Sequence, residues 1–515
     1  MSNTSRFSTL FRTLLAAVTI AALFCVSCIR PTETGNTLRY GYTTEPATLD
    51  PLSPSNTADG RSILFNVFEG LVKPDATGRL LPCIAETVTA EEAGRVYVFT
   101  LRENVFFHDG SLLALADVIF SLETAAAAGF HGFSAIEKIE TEGDNGIRIT
   151  LKHPDPDFLP YLTAGIVKAG STGREKNAVG TGPYFIESYN VQQSMVLKKF
   201  DKYWGGLQCG NDPVKRLEKV TIVFFENSDA LIPGLYGGSI DGASLTGALV
   251  NQLDTSRFDI VPDYSAMVQM FALNNAVEPF NDIRVRQAVN YGTDIREIID
   301  TAFYGRGEPS GSPLIPGLAV YYDQSLADPY PFDPDKARQL LSQAGFVTLG
   351  GTGGGKKLSF EITVPSIYTM HVDTAQVIAG RLGQIGIDVS IRLVDWPTWL
   401  SDVYRNRNYQ ATIISVDSPV VSPAGFLARY RSDSDVNFFN FSSTEFDRFF
   451  DMATRETDEG RRINLYKETQ RVISANAANV YIQDIMEFRA FRAGAYGGVL
   501  SYPLYVFDLA AMYAK

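Results

Sequence analysis

"NDIRVRQAVNYGTDIREIIDTAFYG", residues 281–305, reads as two short helices in succession. Asp282 and Asp294 stand where N-caps belong, because a carboxylate there accepts from the free N–H groups of a first turn. Gly292 and Gly305 stand where each helix must stop. "FDPDKARQLLSQAGF" (332–346) repeats the grammar. Asp333 is the cap, Pro334 fills the first helical position, and Ala337, Leu340, Leu341 and Ala344 recur at helical spacing before Gly345. "RVYVFTLRENVFFHDGSLL" (95–113) is of another kind. It is β-branched and aromatic, is broken at His108-Asp109-Gly110, and reads as strand, turn and helix entry. Strands and helices mix in this way along the chain, so the fold class is α/β.

The chain has 515 residues, 45% hydrophobic and 20% charged, which suits a globular protein of about three domains. Its net charge of −13 argues against nucleic acid as a partner and against lying flat on anionic lipid. The amino end is different. Arg6 and Arg12, without an acid, precede the apolar run "LLAAVTIAALFCVS" (14–27). Spanning hydrocarbon takes about 20 apolar residues, so this shorter run has the form of a secretory signal over 1–27. Cys28 follows directly and resembles the first mature residue of a bacterial lipoprotein, although Cys25 stands where such motifs usually carry Leu. Lipid on Cys28 would anchor the chain to a bacterial membrane, and residues 28–37 would serve as a tether. Two further cysteines, Cys83 and Cys209, either pair in an oxidising compartment or sit apart.

A search for catalysis comes back empty. The four histidines, His108, His131, His153 and His371, form no zinc spacing. "GASLTG" (242–247) lacks the spacing of a nucleophile elbow. Gly350–Lys357 matches the glycines and lysine of a phosphate loop, but Lys357 stands where Ser or Thr must hold magnesium. The order is also reversed, with a helix before the loop and a strand after it. The chain is expected to be no enzyme, without cofactor or metal.

Several stretches in order carry a family resemblance: "YTTEPATLDP" (42–51), "NVFEGLVKPDATGRLLPCIAETVTA" (66–90), "GTGPYFIESY" (180–189), "DKYWGG" (201–206), "LYGGSIDGA" (235–243) and "GIDVSIRLVDWPTWL" (386–400). With the stretches above they resemble the extracytoplasmic solute-binding proteins, family 5, of peptide, dipeptide and nickel ABC importers, over about 38–480. The resemblance implies a two-lobe periplasmic-binding-protein fold with an inserted domain. Lobe I would take 38–58, 166–268 and 482–515, the extra domain 59–165, and lobe III 269–481. The crossovers would lie near Gln269–Asn275 and Val480–Met486, with ligand buried between the lobes. The partners implied are a peptide or other small solute and the permease subunits of the importer, with the binding protein itself a monomer. The same scaffold also serves a non-peptide solute, such as a nickel chelate or a sugar, or a receptor or adhesion lipoprotein.

The resemblance also nominates contacts. Glu45, Pro46 and Ala47 map to the segment that pairs with a peptide backbone, although Pro46 has no N–H to donate. Glu45 is either a partner for a cationic group or an exposed turn residue. Met270 lies in the first crossover. Trp396 and Trp399, in "DWPTWL", are either pocket wall or core. Peptide binders carry Gly-Trp-x-x-Asp-Tyr near 414–423, whose Asp meets the peptide ammonium. Here the stretch is "ISVDSPVVSP", and its one acid, Asp417, falls about two positions short. Asp417 is either that partner or a loop cap.

Overall fold

The computed structural model describes residues 36–53, 56, 58–130, 132–206, 216–347, 355–418, 422–502 and 506–515. The signal segment, Cys28, most of the tether, His131, Cys209 and most of the glycine loop at 350–357 lie outside them. Cys83 is buried, with its thiol 3.5 Å from Glu69 Oε1.

One mixed sheet of eleven strands runs through the molecule. Its order is 388–394, 359–365, 411–416, 258–273, 479–492, 242–245, 37–42, 219–224, 194–199 and 184–190, with the short strand 308–309 added on 479–492. The central pair decides the architecture. Phe258–Leu273 and Asn479–Arg492 are sixteen and fourteen residues long and run antiparallel over their whole length. Their first stretch, Phe258–Tyr264 against Met486–Arg492, continues into 242–245 and 37–42. Their second stretch, Val268–Leu273, pairs with 411–416. The register breaks between Tyr264 and Val268, and Ala266 there has φ 55°. The same two strands therefore belong to both halves of the sheet, with a bulge where the halves meet.

Each half has its own core. In the second half, alternate residues of 268–273 face opposite ways, as a strand's two-residue period requires. Met270 and Ala272 join Trp399, Tyr430 and Tyr466, while Phe271 and Leu273 join Ile362, Ile378 and Leu382. The helix Thr369–Gln384 carries the chain from 359–365 to its parallel neighbour 388–394 and lays Ala375, Ile378 and Leu382 on the sheet. In the first half, Leu38, Tyr40 and Val220 share a core with Phe99, Val118 and Ile147. Those last three belong to a four-stranded antiparallel sheet, ordered 85–91, 96–101, 146–151 and 136–142, and to the helix Leu115–Ala127. This inserted unit also touches the second half. Tyr466, on the helix Glu459–Ala475, donates to Asp157, and Arg462 Nε lies 3.6 Å from the same carboxylate.

The local readings hold. The helices are Ile283–Tyr291, Ile295–Ala302 and Pro334–Gln343, and the Asp282, Asp294 and Asp333 carboxylates accept from the N–H groups of Arg284, Glu297 and Lys336. Gly305 and Gly345 have the left-handed φ of a helix stop, 73° and 91°. Gly292 does not, at φ −84°. Its need for glycine is space, because a Cβ there would come within 2.8 Å of Ile385 and 3.0 Å of Leu382.

Candidate functional site

The strand directions locate the site. Strands 37–42, 219–224 and 242–245 run parallel, and their carboxyl ends point along 479–492 from Phe491 toward Met486, at the bulge. Strands 359–365, 388–394 and 411–416 also run parallel, and the register Leu273↔Ala411 to Val268↔Val416 brings their carboxyl ends to the same bulge from the other side. Loops at carboxyl ends are where open α/β sheets bind ligands. Here two such rims face each other across the central pair.

The first rim carries Glu45, Pro46 and Ala47, directly after 37–42. Glu45 is already engaged. Its Oε2 accepts from Tyr189 Oη at 2.8 Å and from the Gln192 N–H at 2.9 Å, which holds the 190–194 turn. Burial and the Glu45 carboxylate raise the Tyr189 phenol well above its ordinary value. Pro46 is buried and Ala47 exposed. The second rim carries exposed Ile367 and Tyr368, half-buried Trp396 and exposed Asp417. Tyr368 meets Trp396 edge-on at 5.7 Å and 84°, and Trp396 stacks on Trp399 at 5.1 Å and 4°.

Two expected contacts take core positions instead. Trp399 is 3% exposed and its indole N–H donates to Thr412 Oγ1 at 3.0 Å, so it supports Trp396 from behind. Met270 is 0% exposed, because its strand position turns it into the second-half core. The first rim thus carries Glu45, Pro46 and Ala47 and the second Trp396 and Asp417, while Met270 and Trp399 lie inside.

The central pair supplies a polar floor that the sequence reading missed. Gln483 Nε2 donates to Gln269 Oε1 at 2.8 Å, and Gln269 Nε2 lies 3.2 Å from His371 Nδ1 and from Thr374 Oγ1. Burial pulls His371 down to about 4, so it is neutral at pH 7. Asp484 accepts only from the Met267 N–H, at 3.2 Å, and burial lifts it to about 8. Arg489 pairs with Asp263, which burial lifts to about 6 against the pull of that guanidinium. Among the described residues, three buried acceptors here, Gln483 Oε1, Asp484 Oδ2 and Asp263 Oδ1, have no partner. The available signal was polar Gln483-Asp484 inside the apolar run "VYIQDIMEF" (480–488).

A small separate pocket lies at the opposite end of the first-half strands, lined by Phe65, Glu69, Lys73, Tyr203 and Asp508 among others. Glu69 is spent there on Tyr203 Oη (2.7 Å), Trp204 Nε1 (2.8 Å) and Thr181 Oγ1 (3.1 Å). Among the described residues, no group of His, Cys, Asp and Glu could hold a metal ion, and no helix is long and apolar enough to cross a membrane.

Two α/β halves sharing a long strand pair, with their carboxyl rims opposed, define the class of two-lobed periplasmic binding proteins. The chain belongs to the bacterial extracellular solute-binding proteins, family 5, whose middle-region model matches residues 79–438. It is therefore a solute-binding protein and not an enzyme. It is 25% identical over 518 residues to the probable deoxycholate-binding periplasmic protein YgiS of Escherichia coli K12, covering 92% of this chain and 93% of that one. The unliganded open form of the periplasmic murein tripeptide binding protein MppA superimposes with a TM-score of 0.80 at 21% identity, over 93% of this chain and 98% of that one. Bacillus subtilis AppA in complex with a nonapeptide gives 0.70 at 20% identity, over 93% and 99%.

Proposed function

We propose that the chain is a lipid-anchored catcher that receives peptides in the cleft between its two halves and delivers them to the permease. The observation that carries this is the convergence of two sets of strand carboxyl ends on one bulged strand pair. In this reading lobe I is 38–58, 166–268 and 482–515, the extra domain is 59–165 and lobe III is 269–481. The hinge is the Ser265–Met267 bulge with the facing Asp484–Met486, just before the expected crossover Gln269–Asn275, whose strand residues already pair within the second half, and closing it swings the rims together over solute. The greater overlap with an open, unliganded relative than with a peptide-filled one supports an open resting form. MppA and AppA support peptides as cargo. YgiS supports a non-peptide organic solute as the second reading.

A lipid on Cys28 keeps the catcher close to its transporter and raises its effective concentration there. Native mass spectrometry of the gently purified protein should show a retained solute in the peptide mass range. A retained steroid, sugar or metal chelate would overturn the peptide reading. Cys28→Ser should move the protein from the detergent phase to the aqueous phase on partitioning, and a variant that stays with detergent contradicts the anchor.

A further inference from the structure

We propose that the contact of Asp157 with Tyr466 and Arg462 is a latch, which holds the two halves in the arrangement described above and releases when they close on solute. This rests on the hinged solute-binding reading and adds a device that sets the balance between its two states. The partners belong to different bodies. Asp157 lies in the inserted unit. Its N–H donates to Asp155 Oδ1 at 3.0 Å, the Asp155 carbonyl accepts from Tyr97 Oη at 2.6 Å, and the neighbouring Phe158 packs on Tyr97 with ring centres 5.6 Å apart. That unit is tied to the first half by the shared core and by Asn66, whose side chain donates to the Phe507 carbonyl at 2.7 Å and accepts from the Leu509 N–H at 2.8 Å. Tyr466 is embedded in the second half, where its ring meets Tyr321 at 5.9 Å and 81° and Phe450 at 6.5 Å and 69°. Arg462 is held on the same side by the Glu456 carbonyl, 3.1 Å from Nη1.

The chain passes between the two halves through the bulged strand pair, so a rotation there moves one partner against the other. A second contact crosses the same boundary, where Arg306 Nε donates to Asn251 Oδ1 at 2.9 Å. Arg306 leads into strand 308–309, which pairs with 483–484 beside the bulge, so that contact sits at the pivot. The Asp157 contact instead joins a helix of one half to the inserted unit of the other. It is built to hold. Asp157 and Tyr466 are 7% and 0% exposed. Burial lifts the Asp157 carboxyl to about 6, so it is ionised at pH 7 and the hydrogen bond from Tyr466 is charge-assisted. Arg462 Nε adds its attraction at 3.6 Å without a hydrogen bond. A bond to a charge shielded from water is among the stronger ones, and closure must break it. A solute that selects the closed arrangement therefore binds more weakly than it would without the latch.

Spin labels at exposed His153 and Glu459, on a Cys28→Ser, Cys209→Ser background, read the distance across the latch by double electron–electron resonance. In the apo parent the distance distribution should be narrow. Saturation with the tripeptide Ala-Phe-Phe, used as the probe solute, should lengthen it. Tyr466→Phe and Asp157→Asn should each broaden it toward the longer distance with no solute present. Each should also bind Ala-Phe-Phe about tenfold more tightly in calorimetry. The double variant should gain little beyond either single one, because both changes remove the same contact. An apo distribution in Tyr466→Phe and Asp157→Asn as narrow as the parent's, with only a lower melting temperature, overturns the latch and makes the contact structural. A parent saturated with Ala-Phe-Phe whose distance does not change overturns it too. If the parent does not bind Ala-Phe-Phe, that failure counts against the peptide reading alone, and the apo distributions of parent and variants still decide the latch.

Discussion

Asp417 and Asp484 show how far a residue's type is from its role. From sequence, Asp417 is the one acid near the place where peptide binders hold an ammonium. In the structure it is exposed, its carbonyl accepts from Arg429, and its carboxylate acts on that guanidinium through space without an ion pair. Asp417→Asn should therefore change affinity for Ala-Phe-Phe and for N-acetyl-Ala-Phe-Phe by the same small factor. A loss of about 30-fold or more confined to the free amine would restore it as the ammonium partner. Asp484 stands out in the sequence only as a polar step in an apolar run, and its burial is not written there, since it depends on pairing with residues more than two hundred positions away. Folding raises it from the ordinary carboxyl range to about 8. The unfolded carboxyl ionises near pH 4 and the folded one near pH 8, so between these values the folded state holds more protons and stability falls as pH rises. Asp484→Asn removes that contribution. Urea titrations at pH 5 and pH 8 should show the variant gaining on its parent by on the order of 3–4 kcal/mol across that interval. An unchanged difference at the two pH values would mean the carboxyl is not held neutral.

At the scale of elements, what was legible is what is written locally. The caps Asp282, Asp294 and Asp333 and the stops Gly305 and Gly345 act within one turn of their own positions. Gly292 was legible as a glycine but not in its reason, which is the approach of the helix Thr369–Gln384 and the residues after it. Gly292→Ala forces a methyl against Leu382 and Ile385 and should cost about 1–3 kcal/mol in urea denaturation. A second change, Ile385→Val, should return part of it. Gly305→Ala meets nothing closer than 3.7 Å, so its cost, about 1 kcal/mol from the left-handed backbone, should not respond to Ile385→Val. Equal responses of the two glycine variants would contradict the crowding account. The long strands were the least legible elements. Their polar residues Asp263, Gln269, Gln483 and Asp484 break the alternation that marks a strand, and the meeting of Gln269 with Gln483, between the register shifts at Tyr264/Val268 and Gln269/Met270, depends on a partner strand more than two hundred positions away.

On the scale of the whole molecule, the order of weak motifs gave the architecture that no single motif could. It could not give the inward turn of Met270 and Trp399, because rim and core positions differ by one step along a strand or helix. In the proposed cycle the two halves close about the bulged pair on a solute. Small-angle scattering of the Cys28→Ser protein, with and without the solute that copurifies with it, tests this most directly. The radius of gyration should fall when the solute is returned to the stripped protein, and the melting temperature should rise by mass action in the same titration. Saturating binding by calorimetry with an unchanged radius of gyration would contradict it.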